Sequence, residues 1–168
     1  MGLVQELDRA TVRIRPISPS DRDALVRFHE GLTSETTRMR FFLFHPHLTP
    51  TEVERFTHVD HHVREALVAL DGSDIIAVAR FDRMPASDEA EVAFVVADAW
   101  QGNGVGTELL GQLADRARTE GLERFTADTL GGNHRMLGVF RRSGLLVESD
   151  TEAGVVHVVL DLRLGVPV

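Results

Sequence analysis

A chain of 168 residues, 43% hydrophobic and 26% charged, has the size and balance of one folded domain and not of a disordered chain. A formal charge of −8 disfavours nucleic acid as the main partner, because phosphate binding needs a basic face; it favours solubility and cationic partners such as amines. The absence of cysteine excludes disulfides, thiolate metal sites and cysteine nucleophiles, and the lack of a membrane-length apolar run or a secretion signal leads us to expect a cytoplasmic chain with no membrane partner.

Residues 11–17 alternate Val12 and Ile14 with Arg13 and Arg15, the period of a strand. Ser18-Pro19-Ser20-Asp21 opens a helix with a cap, a first-turn proline and an acid three residues on; Leu25, Phe28 and Leu32 form its apolar stripe. Residues 33–44 suit a second short helix ending in the apolar patch Phe41 to Phe44. That patch is expected in the core or lining an acceptor pocket, with Arg38 and Arg40 on the surface. Thr49-Pro50-Thr51-Glu52 repeats the capping pattern and starts a third helix reaching about Val59. The middle is β-rich. Residues 66–70 form a strand, Asp71-Gly72 a hairpin turn, and 75–81 the next strand. Residues 89–97 form a third strand, apolar enough for burial on both faces. Three alternating glycines then lead into a helix over about 104–120, with Val105, Leu109, Leu110, Leu113 and Ala117 at helical spacing and Gly121 as its stop. Residues 123–129 read as a strand. Asn133 caps a helix carrying Met136, Leu137 and Phe140, which Gly144 ends, and residues 145–149 and 155–162 make a last hairpin. The crossover within 89–129 requires a parallel pair and the flanking hairpins antiparallel ones, so the expected fold is a single α/β domain with a mixed sheet.

Gly102, Gly104 and Gly106 stand between a strand and a helix. Glycine there lets the backbone bend sharply and approach a ligand, and the first helical amides, lacking internal partners, favour an anion. A nucleotide P-loop would need a lysine that is absent, and a dinucleotide site would need G-x-G-x-x-G near the first strand. A glycine-rich turn that binds nothing remains open on spacing alone.

Gln101-x-x-Gly104-x-Gly106 resembles the Q/R-x-x-G-x-G/A signature of the GNAT superfamily of N-acetyltransferases. The strand Glu91-Val92-Ala93-Phe94-Val95-Val96 is similar to that family's central strand. Asn133-x-x-Met136-x-x-x-Phe140-x-x-x-Gly144-Leu145 is similar to its second cofactor motif. The element order matches over residues 11–162. Within the family, residues 33–98 look most like the catalytic domains of bacterial protein lysine acetyltransferases, through Arg40-Phe41-Phe42, Val59-Asp60-His61-His62, Glu65-Ala66-Leu67-Val68-Ala69 and Ala90 to Val96. Some of those proteins carry a fused ligand-sensing domain, for which 168 residues leave no room.

The resemblance implies a GNAT-type α/β (α+β) fold, a mixed and centrally splayed sheet flanked by helices. It places that domain at residues 11–163, with 1–10 an extension and 164–168 a tail. It implies acetyl-CoA as acyl donor, held by Phe94, Val95, Val96, Gln101, Gly102, Asn103, Gly104, Val105, Gly106, Thr107, Asn133 and Phe140, with no metal. An amine with a pKa near 10.4 arrives as ammonium at neutral pH, so a base must take its proton. The resemblance puts Glu91 in that role, in a strand whose burial would raise the carboxyl's pKa; Glu89 is the reserve. It assigns the oxyanion donor to the amide of Val96 or one close by. Many relatives place a tyrosine on the Asn133 helix as general acid; here Phe140 stands at that position and the chain has no tyrosine. A thiol with a pKa of about 8.5 leaves unaided as thiolate. Ser143 and His134 are the other donors in reach, and Arg141 or Arg142 the candidates for a ribose phosphate.

Five histidines, His45, His47, His58, His61 and His62, crowd one stretch. A histidine metal site with His58 and His62 on one helix face is the alternative to surface histidines, which is the reading we adopt. The expected activity is acetyl transfer to an amine, preferably a protein lysine. The alternatives are a small amine acceptor (antibiotic, polyamine or amino acid) or a non-catalytic acyl-CoA sensor.

Overall fold

The computed structural model describes residues 11–43 and 45–165; the N-terminal extension, Phe44 and the last three residues of the expected tail lie outside them. Strand β1 (Val12–Pro16) leads into a 3-10 turn whose capping box is complete. The Ser18 hydroxyl accepts from Ser20 N, and the Asp21 carboxylate accepts from Ser18 N and from the Arg15 guanidinium. Helix α1 (Arg22–Glu30) follows, with Leu25 and Phe28 buried. Helix α2 (Ser34–Phe41) is capped by Thr33 and stops earlier than the sequence suggests, because Phe42 turns left-handed with φ 64°. Phe41 is half-buried, whereas Phe42 and Leu43 are exposed, so the described part of the apolar patch adds only one ring to the interior. Helix α3 (Pro50–Thr57) has a second capping box, made by Thr49 and Glu52.

Strands β2 (Arg64–Asp71), β3 (Asp74–Arg83) and β4 (Glu89–Val96) form an antiparallel run. Helix α4 (Val105–Thr119) crosses over to β5 (Arg124–Leu130); helix α5 (His134–Arg142) then leads to the hairpin β6 (Leu146–Glu152) and β7 (Val155–Asp161). The sheet order is β1-β2-β3-β4-β5-β7-β6, and only β4 and β5 run parallel. The sheet is mixed, as the order of elements requires.

Apolar side chains divide by strand alternation onto the two faces. Leu67, Ala79, Phe81, Val92, Phe94 and Phe125 pack under α4, whose Leu109, Leu110 and Leu113 are fully buried. Val68, Val78 and Ile75 pack under α1 with Leu25 and Phe28. The feature that matters for function is the shortness of one ladder. β4 and β5 pair only through Glu89↔Arg124, Ala90↔Phe125 and Glu91↔Thr126, although both strands continue beyond. From Val92 onward the two edges part. Phe140 of α5 packs edge-to-face on Phe94 with centroids 5.6 Å apart, so α5 lies against β4 on the α4 side of this opening. The expectation that β4 is buried on both faces is not met, because one face is covered only in part. Ala90, Val92 and Phe94 are buried, Glu91 is exposed, and Ala93, Val95 and Val96 are only half-covered.

Leu113 anchors α4 to the sheet with no exposed surface. Leu113→Ala is expected to cost about 3 kcal/mol through the cavity it leaves, seen as a lower urea midpoint at unchanged slope.

Candidate functional site

The gap between β4 and β5 opens into a cleft of about 1230 Å³, bounded by β4, the turn before α4, the N-termini of α4 and α5, and α2. Its base is the glycine loop. Gly102 and Gly104 both take left-handed conformations, φ 81° and 80°, which other residues adopt only with strain. A Cβ on Gly106 would meet Val139 Cγ2 at 3.3 Å and both Phe94 and Val96 at 3.6 Å, so glycine there allows α4, α5 and β4 to converge.

Gly104 is the N-cap of α4 and offers no side-chain acceptor to the amides that follow. Those amides sit at the positive end of a 15-residue helix. Nearby, Thr107 Oγ1 is buried without a hydrogen-bond partner among the described residues. Free helical amides, an orphaned hydroxyl and a cradle lacking side chains together suit a phosphate-bearing ligand. The loop is braced from within. Gln101 Nε2 donates to Val96 O at 3.0 Å, its Oε1 accepts from Arg135 at 3.1 Å, and Asn103 Nδ2 donates to Trp100 O at 3.2 Å.

Along β4 the amides divide by alternation. Ala97 N donates to Ile76 O on the β3 side, so the amides of Val95 and Ala93 face β3 as well, and those of Phe94 and Val96 face the opening that β5 has left. Unpaired strand amides beside a cleft can receive an extended ligand as a further strand would pair.

The twelve residues expected to hold a cofactor, Phe94 to Val96, Gln101 to Thr107, Asn133 and Phe140, all line this one cleft. Asn133 caps α5 through Met136 N, and Phe140 is buried beneath. Glu91 does not line it. Its register partner Asp82 lies in alternation with Val78, which packs under α1, so Glu91 projects to the opposite face of the sheet and is exposed there. The expected burial of this carboxylate is therefore absent. Glu89 is bound to Arg124 Nε at 2.8 Å. Ser143 Oγ is engaged in the α5 C-terminus, donating to Phe140 O and accepting from Leu145 N. His134 and Arg142 line the cleft, and Arg141 does not.

Sequence reasoning missed the roof. Thr33, Thr36 and Met39 of the α2 region line the cleft, held by Asp98, which accepts from Thr33 N, Thr33 Oγ1 and Thr36 Oγ1 at 3.1, 3.0 and 2.6 Å. Burial alone would raise the Asp98 carboxyl; these hydrogen bonds outweigh it and hold it below the usual carboxylate range. The five clustered histidines each meet a different acid: Glu52, Glu30, Glu54, Glu65 and Glu120 in chain order. His58 and His62 share no helix face, since α3 ends at Thr57.

Residues 11–146 match the model of the acetyltransferase (GNAT) domain. The chain belongs to this family. It is 40% identical to the GNAT domain of S. lividans PAT, with a TM-score of 0.84 over 89% of this chain and 90% of that one. It is 32% identical to acetyltransferase Pat of Mycolicibacterium smegmatis over 89% of its own length, but spans only 45% of Pat. The spermidine N-acetyltransferase of Vibrio cholerae, 16% identical with a TM-score of 0.69 over 92% of this chain and 98% of that one, shares the fold. Membership makes this GNAT domain an N-acetyltransferase with acetyl-CoA as acyl donor. The glycine loop and the orphaned Thr107 hydroxyl have the chemistry to meet the phosphates of such a donor, and the free β4 amides that of its amide-bearing arm. Among the described residues no helix is long and apolar enough to cross a membrane, and no three His, Asp or Glu side chains group as metal ligands do.

Gly104→Ala is expected to cost about 1–2 kcal/mol for its left-handed backbone and to weaken CoA binding about tenfold in calorimetric titration. Asp98→Asn is expected to lower stability by about 1–2 kcal/mol at pH 7. Because the folded carboxyl titrates low, that margin is full above its unfolded pKa and shrinks as the pH falls below about 4; urea unfolding of both proteins across pH 7 to 3 measures it.

Proposed function

We propose that the domain acetylates primary amines by direct attack, preferably the side chain of a protein lysine, with Glu91 as the base. One observation carries the reading. Glu91 is the last β4 residue paired with β5 before the strands part, and it is exposed on the face of the sheet opposite α4, beside the cleft and not in its lining. A donor held by the α4 N-terminus and an acceptor approaching on the Glu91 face then meet at the opening. The 40% identity to the S. lividans PAT GNAT domain, the resemblance of residues 33–98 to protein lysine acetyltransferases and the net charge of −8 support a cationic, protein-borne acceptor.

Acetyl-CoA supplies a thioester whose carbonyl carbon accepts the amine. Glu91, directly or through water, takes the ammonium proton and frees the nitrogen lone pair. The amides of Gly102 to Thr107 at the α4 N-terminus hold the pyrophosphate. The main chain of Phe94, Val95 and Val96 aligns the pantetheine arm, and the Val96 amide donates to the carbonyl oxygen as charge collects there. Asn133 and Phe140 complete the wall beside that arm. The C–N bond forms first; as the carbonyl re-forms, the C–S bond breaks and sulfur leaves as thiolate with its bonding pair. The second proton of the acylated nitrogen passes to solvent or to that thiolate, giving a neutral amide and free CoA. No side chain is needed as general acid, which accords with a chain that lacks tyrosine.

The test is release of free CoA thiol over lysine peptides, intact proteins and small amines; a chain without cysteine is silent to the thiol reagent. Glu91→Gln is expected to lower kcat about 100-fold with little change in the KM for acetyl-CoA. An unchanged kcat would remove Glu91 from the mechanism, and turnover confined to polyamines would replace the lysine acceptor.

A further inference from the structure

Two arginines stand on the Glu91 side of the sheet with nothing to neutralise them. On β3, Val78, Arg80 and Asp82 alternate onto that side, opposite Val95, Ala93 and Glu91 of β4. Arg80 is only 9% exposed, and its guanidinium lies 4.3 Å from the ring centre of Phe56. Arg40, on α2, stacks at 4.7 Å over Phe41; it is half-buried and not the surface residue its sequence context suggested. Among the described residues neither guanidinium has a hydrogen bond or a carboxylate partner. The neighbouring acids are engaged elsewhere: Asp82 with Arg55 and Arg64, Glu52 with His45 and the Thr49 amide.

Arg40 and Arg80 both line a side cavity of about 30 Å³, with His29 and otherwise apolar residues such as Phe28, Phe56 and Val95. Arg40 and Val95 also line the large cleft, so the two spaces adjoin. By volume the cavity takes a group of about carboxylate size and no ring. Its electrostatics favour an anion. Burial, with the charge of Arg40 adding to it, pushes the Arg80 guanidinium down to about 9, and burial also lowers that of Arg40. Asp82 and then Glu91 act on Arg40 only through space. A buried and a half-buried like charge side by side without a counter-ion are costly, and a planar guanidinium is the side chain best shaped to receive a carboxylate.

We propose that Arg40 and Arg80 form an anion subsite of the acceptor, so that the amine reaching Glu91 belongs to a molecule carrying a carboxylate close to that amine. The carboxylate comes either from an acidic residue beside the modified lysine or from the α-carboxylate of a free amino acid. The inference rests on the amine-acetylation reading and narrows it. It also runs against the net charge of −8, which by itself repels an acidic acceptor. A preference for one is therefore a local effect.

The experiment compares matched acceptors: a lysine peptide with a flanking glutamate against the same peptide with glutamine, and free lysine against lysine amide. The wild-type protein is expected to favour the carboxylate-bearing member of one pair by about tenfold in kcat/KM, and the pair that responds identifies the source. In Arg80→Met, which keeps the buried volume and needs no counter-ion, the preference should fall towards unity while transfer to the neutral member persists. Equal wild-type rates within both pairs overturn the subsite. So does a variant that loses both members alike and keeps the preference, because a merely structural arginine would behave that way. If no amine is acetylated, the enzymatic reading fails instead. Calorimetric titration of the same four acceptors into CoA-saturated protein then decides the subsite. Charge-dependent binding lost in Arg80→Met sustains it; charge-blind binding, or none, ends it.

Discussion

The structure turns on a ladder that stops. β4 and β5 are held together by three register pairs, the last at Glu91, and then separate while each remains bonded on its other side. A continuous ladder would have satisfied the amides of Phe94 and Val96 and sealed the sheet. Its interruption leaves backbone donors facing a cleft in the middle of a sheet, where flanking helices exclude water and strengthen any bond they make. The glycine loop, the α4 N-terminus and α5 are arranged around that gap. Gly106 permits α4 and α5 to approach β4 closely enough to wall it.

The roof over the gap depends on a contact between distant parts of the chain. Asp98, in the turn that follows β4, takes three hydrogen bonds from the Thr33 cap and from Thr36, so the same carboxylate fixes α2 and the start of the glycine loop. Gln101 plays a parallel part at the other side, joining the loop to Val96 and to Arg135 on α5. Loop, roof and wall are thus tied by polar contacts to one short stretch, 96–101.

Much of this was legible from residues alone, because its signals are local. Capping patterns at Ser18 and Thr49, the αL glycines at 121 and 144, and the spacing of Leu109, Leu110 and Leu113 place the helices; the glycine run and Asn133 place the cleft. What escaped depends on tertiary contact. The apolar run from Ala90 to Val96 suggests two buried faces, and only the packing of the helices shows that the face carrying Glu91 is left uncovered there. The Thr33–Asp98 bonds span 65 residues. Arg80 resembles any charged residue near a strand end until Phe56 covers it, and α2 ends at Phe41 for want of a continuing helical backbone at Phe42, which composition does not announce.

Trp100 is the chain's single tryptophan, and there is no tyrosine. It is 6% exposed, in the turn between Asp98 and Gln101, and borders the large cleft. Emission excited at wavelengths where phenylalanine does not absorb therefore originates at the joint connecting roof, strand and glycine loop. Filling of the cleft, slackening of the roof and loss of the fold each alter the surroundings of that one indole, so a native optical reporter is built into the part of the molecule where the cleft, its roof and its loop meet.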